Sequence, residues 1–123
     1  KRARKYRKVF GGGMRQAGIL AAAGIYAFDH HIHRLKKDHR RAKLLGNVIA
    51  AAGFTDWLMP VETNIIIFKM KDSFSAADFV QKLKDEDILC IHIGKNQVRM
   101  VTHLDVDDGM IEKVAGILNA INR

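Results

Sequence analysis

The sequence predicts an α+β fold: a small, largely antiparallel sheet with helices packed on one face, preceded by a long helical segment. Three observations predict it. Apolar residues recur at steps of three or four from Ile32 to Ala52 and again from Ile111 to Ile121, the period of a helix with one buried face. Residues 64–70 and 88–93 are short apolar runs rich in isoleucine, as strands are. Gly94-Lys95-Asn96 then turns the chain into a third strand-like run, residues 97–103.

In chain order, residues 15–28 are small and apolar almost all round, which predicts a helix buried on most sides against something outside the chain. Asp29-His30-His31 breaks that run. The next helix carries Ile32, Leu35, His39, Ala42, Leu45, Ile49 and Ala52 on one stripe. Arg34, Lys36, Lys37, Arg40, Arg41 and Lys43 lie mostly outward, and Gly53 is its stop. Residues 54–59 form a short strand ended by Pro60. Ser75 opens a helix, with Asp78 placed to complete a capping box and Phe79, Val80 and Leu83 inward. Asp105 is the expected cap of the last helix, whose core stripe is Ile111, Val114, Leu118 and Ile121. A right-handed crossover makes the strands near Ile66 and Ile91 parallel, with the strand near Met100 between them and antiparallel to both. The expected division is 1–29, a basic linker, glycine loop and apolar helix, and 30–123, the α+β domain.

A chain of 123 residues, 48% hydrophobic, can bury a real core, which excludes wholesale disorder. Of the net charge of +8, Lys1, Arg2, Arg4, Lys5, Arg7 and Lys8 supply six. A basic nucleic-acid-binding module is therefore one reading. A single short run without zinc-finger, RNP-like or helix-turn-helix spacing is a poor nucleic-acid footprint, and a solvated helix end is favoured. The apolar run 17–28 falls short of the ~20 residues that span a bilayer. Three glycines and Arg15 also break the pattern of a targeting signal, so no membrane partner is expected. The first residue is Lys rather than Met, as in a fragment or a processed product. A single cysteine, Cys90, rules out an internal disulfide framework and fits a reducing compartment, so a cytoplasmic location is expected.

Two groups of residues suit anions. Lys8, the run Gly11-Gly12-Gly13 and Arg15 place side-chain-free backbone and two cations just before a helix, a setting for a phosphate. The duller alternative is a tight glycine turn flanked by surface cations, since neither the P-loop nor the dinucleotide pattern occurs. Arg99 is the second. Alternation puts Arg99, Val101 and His103 on one strand face and Val98, Met100 and Thr102 on the other. An arginine there either reaches water or meets an anion, and its planar fork suits a carboxylate. His30, His31, His33 and His39 lie close in sequence without HExxH or other ligand spacing, so no metal is expected. His103 and Asp105 lack a serine nucleophile elbow, and Cys90 between two apolar residues reads as a structural thiol.

The segment Arg7-Lys8-Val9-Phe10-Gly11-Gly12-Gly13-Met14-Arg15-Gln16-Ala17-Gly18, continued to Ala27, resembles a signature of the low-specificity threonine aldolases. So do Val98-Arg99-Met100-Val101-Thr102-His103-Leu104-Asp105-Val106, Thr63-Asn64, Arg34-Leu35 and Asp38-His39. The resemblance covers essentially the whole chain, with Phe10 and the short turn Gly94-Lys95-Asn96-Gln97 as departures. It implies the C-terminal small domain, plus the linking helix, of a pyridoxal-phosphate (PLP) enzyme of the aspartate-aminotransferase type. By that resemblance, Lys8 and Arg15 reach the cofactor phosphate of a neighbouring subunit, and Arg99 holds the α-carboxylate of a small amino-acid substrate. The lysine that carries the cofactor matches no lysine here and would lie upstream of Lys1, so no catalytic residue is expected within the chain. The implied activity is retro-aldol cleavage of threonine or allo-threonine to glycine and acetaldehyde, in a homo-oligomer, a tetramer by resemblance. A β-eliminating lyase of the same fold is the competing enzyme reading.

Overall fold

The computed structural model describes residues 1–121. The chain divides into two compact units, the first Lys1–Arg34 and the second beginning at Leu35.

The first unit holds α1 (Arg2–Val9), α2 (Gly18–His30) and a 3-10 turn (Ile32–Arg34). The expected helix start at Arg15 moves to Gly18, because residues 15–17 form a turn with Gln16 at φ 54°. None of the unit's helices has a buried residue. Ile19, Leu20, Ile25, Tyr26 and Phe28 of α2 stand exposed within the described structure.

The second unit builds the sheet. It runs α3 (Leu35–Ala51), β1 (Thr55–Leu58), β2 (Ile65–Met70), α4 (Ala76–Asp85), β3 (Ile91–Ile93), β4 (Gln97–Val101) and α5 (Asp108–Ile121). The sheet order is β1-β2-β4-β3, and each neighbouring pair is antiparallel. β2 and β3 are thus parallel, with β4 between them, as the crossover argument requires. One core joins Ala42, Leu45 and Ile49 of α3, Phe79 and Leu83 of α4, and Ile111 and Leu118 of α5. They meet Ile66, Phe68, Met70, Val98 and Met100 on one face of the sheet. Phe54 sits at its centre, its ring 6.1 Å from Phe68 and 5.1 Å from Phe79. Burying each such ring contributes about 2–3 kcal/mol. The fold is the expected α+β layer with helices on one face.

Local chemistry explains where boundaries differ from the pattern. α3 ends at Ala51, where the Ile49 carbonyl accepts from the Thr55 hydroxyl at 2.7 Å. Arg41, expected outward, is buried, because acids of α3 and α5 meet it there. Ser75 caps α4, its Oγ accepting from the Asp78 N–H at 3.3 Å. Ile88 leaves the strand it was expected to begin: its N–H bonds the Leu83 carbonyl at 2.9 Å while Asp87 takes φ 61°, a Schellman cap with aspartate in the left-handed position. The cap of α5 is Asp107, whose Oδ1 accepts from the Met110 N–H at 2.8 Å. Asp105, the expected cap, has its N–H engaged with His103 Nδ1 at 3.3 Å in an extra turn before the helix.

Candidate functional site

The glycine run is first of all a helix cap. Gly11 takes φ 82°, its N–H bonds the Lys8 carbonyl at 3.2 Å, and the Gly12 N–H bonds the Arg7 carbonyl at 2.7 Å. That is a Schellman motif ending α1. A Cβ on Gly12 would stand 2.8 Å from the Arg7 carbonyl oxygen, so no side chain fits there. The amides of Gly11 and Gly12 are therefore engaged, and the glycine amides expected to cradle an anion are reduced by two. What the turn does instead is set side chains. A Cβ at Gly13 would lie 3.3 Å from Lys8 Cγ, so the Lys8 stem runs along the backbone of the turn. Lys8 and Arg15 are both exposed, and neither ammonium nor guanidinium has an ion pair among the described residues. Ala17, at the start of α2, offers no side-chain cap.

Arg99 lies in the second unit, in the middle of β4. It pairs with Ile67 of β2 on one side and Ile91 of β3 on the other. Its neighbours Val98 and Met100 are buried against the helices, so Arg99 occupies the opposite, open face. Ile65, Ile67 and Lys69 are half-buried around it, with Trp57, Ile91 and Val101 exposed. There it lines a hollow of about 300 Å³ with Leu89, Cys90, Ile91, Val101 and His103. Arg99 is half-buried and has no hydrogen-bond or ion-pair partner among the described residues. Lys69 on the same face is already paired, its Nζ 2.6 Å from Asp56. A cation left unpaired in a partly apolar hollow is placed to take an anion from outside. In the same hollow burial pushes the Cys90 thiol up to about 11, which keeps it protonated and inert, as the sequence suggested. His103 Nδ1 lies 3.6 Å from an Asp105 carboxylate oxygen, at the rim.

Lys8 and Arg15 belong to the first unit and Arg99 to the second. Among the described residues no group of three or more His, Cys, Asp or Glu side chains is arranged to hold a metal. His30 instead stacks on Tyr26, with ring centroids 4.3 Å apart.

Two polar clusters escaped the pattern. Arg40 grips both Asp108 oxygens at 2.9 Å, and Arg41 Nε bonds Asp108 Oδ1 at 2.7 Å, joining α3 to α5. Asn96 has φ 58°, and its side chain accepts from the Ala76 N–H at 2.8 Å while donating to the carbonyls of Met70 and Lys71 at 3.1 and 3.0 Å. The turn signal at 94–96 was visible in sequence; that its asparagine also ties β2 to α4 was not.

The family profile of the beta-eliminating lyases matches residues 1–73, more than half of the chain. The chain belongs to this family. Curated relatives of this chain are named low-specificity L-threonine aldolases. One, from Escherichia coli (strain K12), is 39% identical over 115 residues, spanning 94% of this chain and 33% of the relative. Low-specificity L-threonine aldolase 1 of Arabidopsis thaliana is 35% identical over 105 residues, 83% of this chain and 29% of the relative. The chain thus spans about a third of the length of these relatives. Among solved structures, the cystine C–S lyase C-DES matches with a TM-score of 0.63 at 18% identity, over 83% of this chain and 28% of that one. Histidinol-phosphate aminotransferase from Clostridium acetobutylicum matches at 0.52 and 19%, over 72% and 26%. These two show a shared fold, over about a quarter of each of those chains. Among the described residues no helix is long and apolar enough to cross a membrane.

Proposed function

We propose that this chain is the C-terminal part of a PLP-dependent lyase that cleaves threonine or allo-threonine to glycine and acetaldehyde. The observation that carries the reading is Arg99, an unpaired, half-buried arginine at the position where the resemblance puts the carboxylate-binding group. The names of the aldolase relatives support the substrate, and a C-DES structure with glycine covalently linked to its PLP cofactor supports the cofactor class.

The residues present suit two kinds of anion, a phosphate in the first unit and a carboxylate in the second. Lys8 and Arg15, exposed and without ion pairs among the described residues, would hold the cofactor phosphate of a neighbouring subunit as point charge and fork. Arg99 would grip the substrate carboxylate and so orient the bond to be broken. PLP supplies the electron sink that lets that Cα–Cβ bond break. The chain's own residues bind and orient; the lysine that carries the cofactor belongs, by the resemblance, to the part of the protein upstream. The exposed apolar residues of α2 are the reason to expect a homo-oligomer or an upstream domain against this helix. A cytoplasmic location is the matching expectation for a chain with one protonated, half-buried thiol.

The test has two arms. Acetaldehyde release from L-threonine is measured for the full-length protein and for this chain alone, each with added PLP. Turnover by the former and none by the latter is expected. Turnover by the 123 residues alone would refute the division of labour, and β-elimination from cysteine in place of threonine cleavage would favour the other reaction of this family.

A further inference from the structure

We propose that Thr102 is a positioning residue that holds Arg99 in place. The proposal rests on the reading of Arg99 as the carboxylate-binding group. Thr102 directly follows β4 and is 2% exposed. Hydrogen bonds fix it from two directions, the shortest three of them as follows. Its hydroxyl donates to the Asp38 carbonyl on α3 at 2.8 Å. Its N–H donates to the Asn64 carbonyl at 3.0 Å. Its own carbonyl accepts from Asn64 Nδ2 at 2.7 Å.

The register shows what this arrangement is for. Ile65 pairs with Val101 and Ile66 with Met100, so Asn64 and Thr102 stand opposite each other one step beyond the ladder. At that step the Asn64 side-chain amide fills the place a backbone N–H would hold. β2 and β4 are thereby locked at the end where both strands stop, and the hydroxyl bond ties that end to a buried turn of α3. Asp38 is itself 2% exposed, with Arg41 Nη1 3.9 Å from its carboxylate. A slip of one residue in this pair would turn Arg99 from the open face to the helix side. Among the described residues Arg99 has no partner of its own to hold its guanidinium. Its placement therefore depends on its strand, and the strand's free end depends on Thr102.

The experiment uses the full-length holoenzyme with Thr102→Val, Thr102→Ser, Asn64→Asp and Arg99→Lys, and reads KM and kcat for L-threonine together with Tm. Thr102→Val is expected to raise KM roughly tenfold while kcat falls much less, since misplacing a binding group is costly even at small displacement. Thr102→Ser, which keeps the hydroxyl, should return KM to within about twofold of wild type. Asn64→Asp removes the amide donor without changing shape and should raise KM in the same direction, which keeps the proposal testable if Thr102→Val does not fold. A lower Tm with unchanged KM in Thr102→Val and Asn64→Asp, while Arg99→Lys raises KM, would overturn the positioning role and leave the reading of Arg99 standing. An unchanged KM in Arg99→Lys would overturn both.

Discussion

Asn96 is the position where one substitution should cost this domain most for its size. Its side chain makes three hydrogen bonds, to Ala76 N–H and to the Met70 and Lys71 carbonyls, from a backbone held at φ 58°. Each is worth about 1 kcal/mol net, so removing all three costs about 3 kcal/mol. Alanine adds the strain of a Cβ in the left-handed region, about 1 kcal/mol more than glycine at the same site. We therefore expect Asn96→Ala to lose about 4 kcal/mol and Asn96→Gly about 3 kcal/mol. Urea unfolding followed by the fluorescence of Trp57, the single tryptophan, and by far-UV circular dichroism would measure both, with an unchanged slope. Losses below about 1 kcal/mol in both variants would refute the view that this side chain joins the hairpin to β2 and α4. Equal losses would refute the strain component alone.

The clamp on Asp108 makes part of the acid stability depend on this carboxylate. Hydrogen bonds from Arg41 and then Arg40 lower its pKa in the folded state. A group lowered on folding stabilises above its unfolded value of about 3.9 and loses that effect as pH falls through its folded value. Thermal unfolding between pH 7 and pH 2 should show Asp108→Asn with a flatter acid limb than wild type; parallel limbs would refute this. Cys90, with its thiol pushed up to about 11, should react at pH 8 with a disulfide reagent roughly a hundredfold more slowly than an unperturbed thiol, and fully only after unfolding. Fast reaction in the native state would contradict its burial.

Much of the sheet was legible because its signals are local and repeated. Alternation along residues 97–101 put Arg99 on the face opposite Val98 and Met100, and the crossover rule placed β4 between β2 and β3; both hold in the structure. What failed to show was chemistry that depends on residues far apart. Arg41 resembled its cationic neighbours until Asp108, 67 positions away, met it inside. Asp105 and Asp107 are equally good caps by residue type, and the choice fell to Asp107 because His103 engages Asp105. Ile88 looked like strand, but Asp87 adopted a backbone conformation that only the completed helix end called for. The glycine run carried a second meaning: Gly11 and Gly12 finish a helix, and the Lys8 stem lies against Gly13.

The role of Arg99 is tested most directly by comparing two substrates that differ only in the group it should hold. The full-length enzyme is assayed with L-threonine and with its carboxamide, in wild type and in Arg99→Gln. Wild type should prefer the carboxylate by roughly a hundredfold or more in kcat/KM, as expected for a charge-assisted fork worth about 3 kcal/mol. In Arg99→Gln the preference should collapse toward parity, because the charge that read it is gone. An Arg99→Gln enzyme that keeps the wild-type preference would show that another group holds the carboxylate, and that Arg99 serves some other purpose on the open face of this sheet.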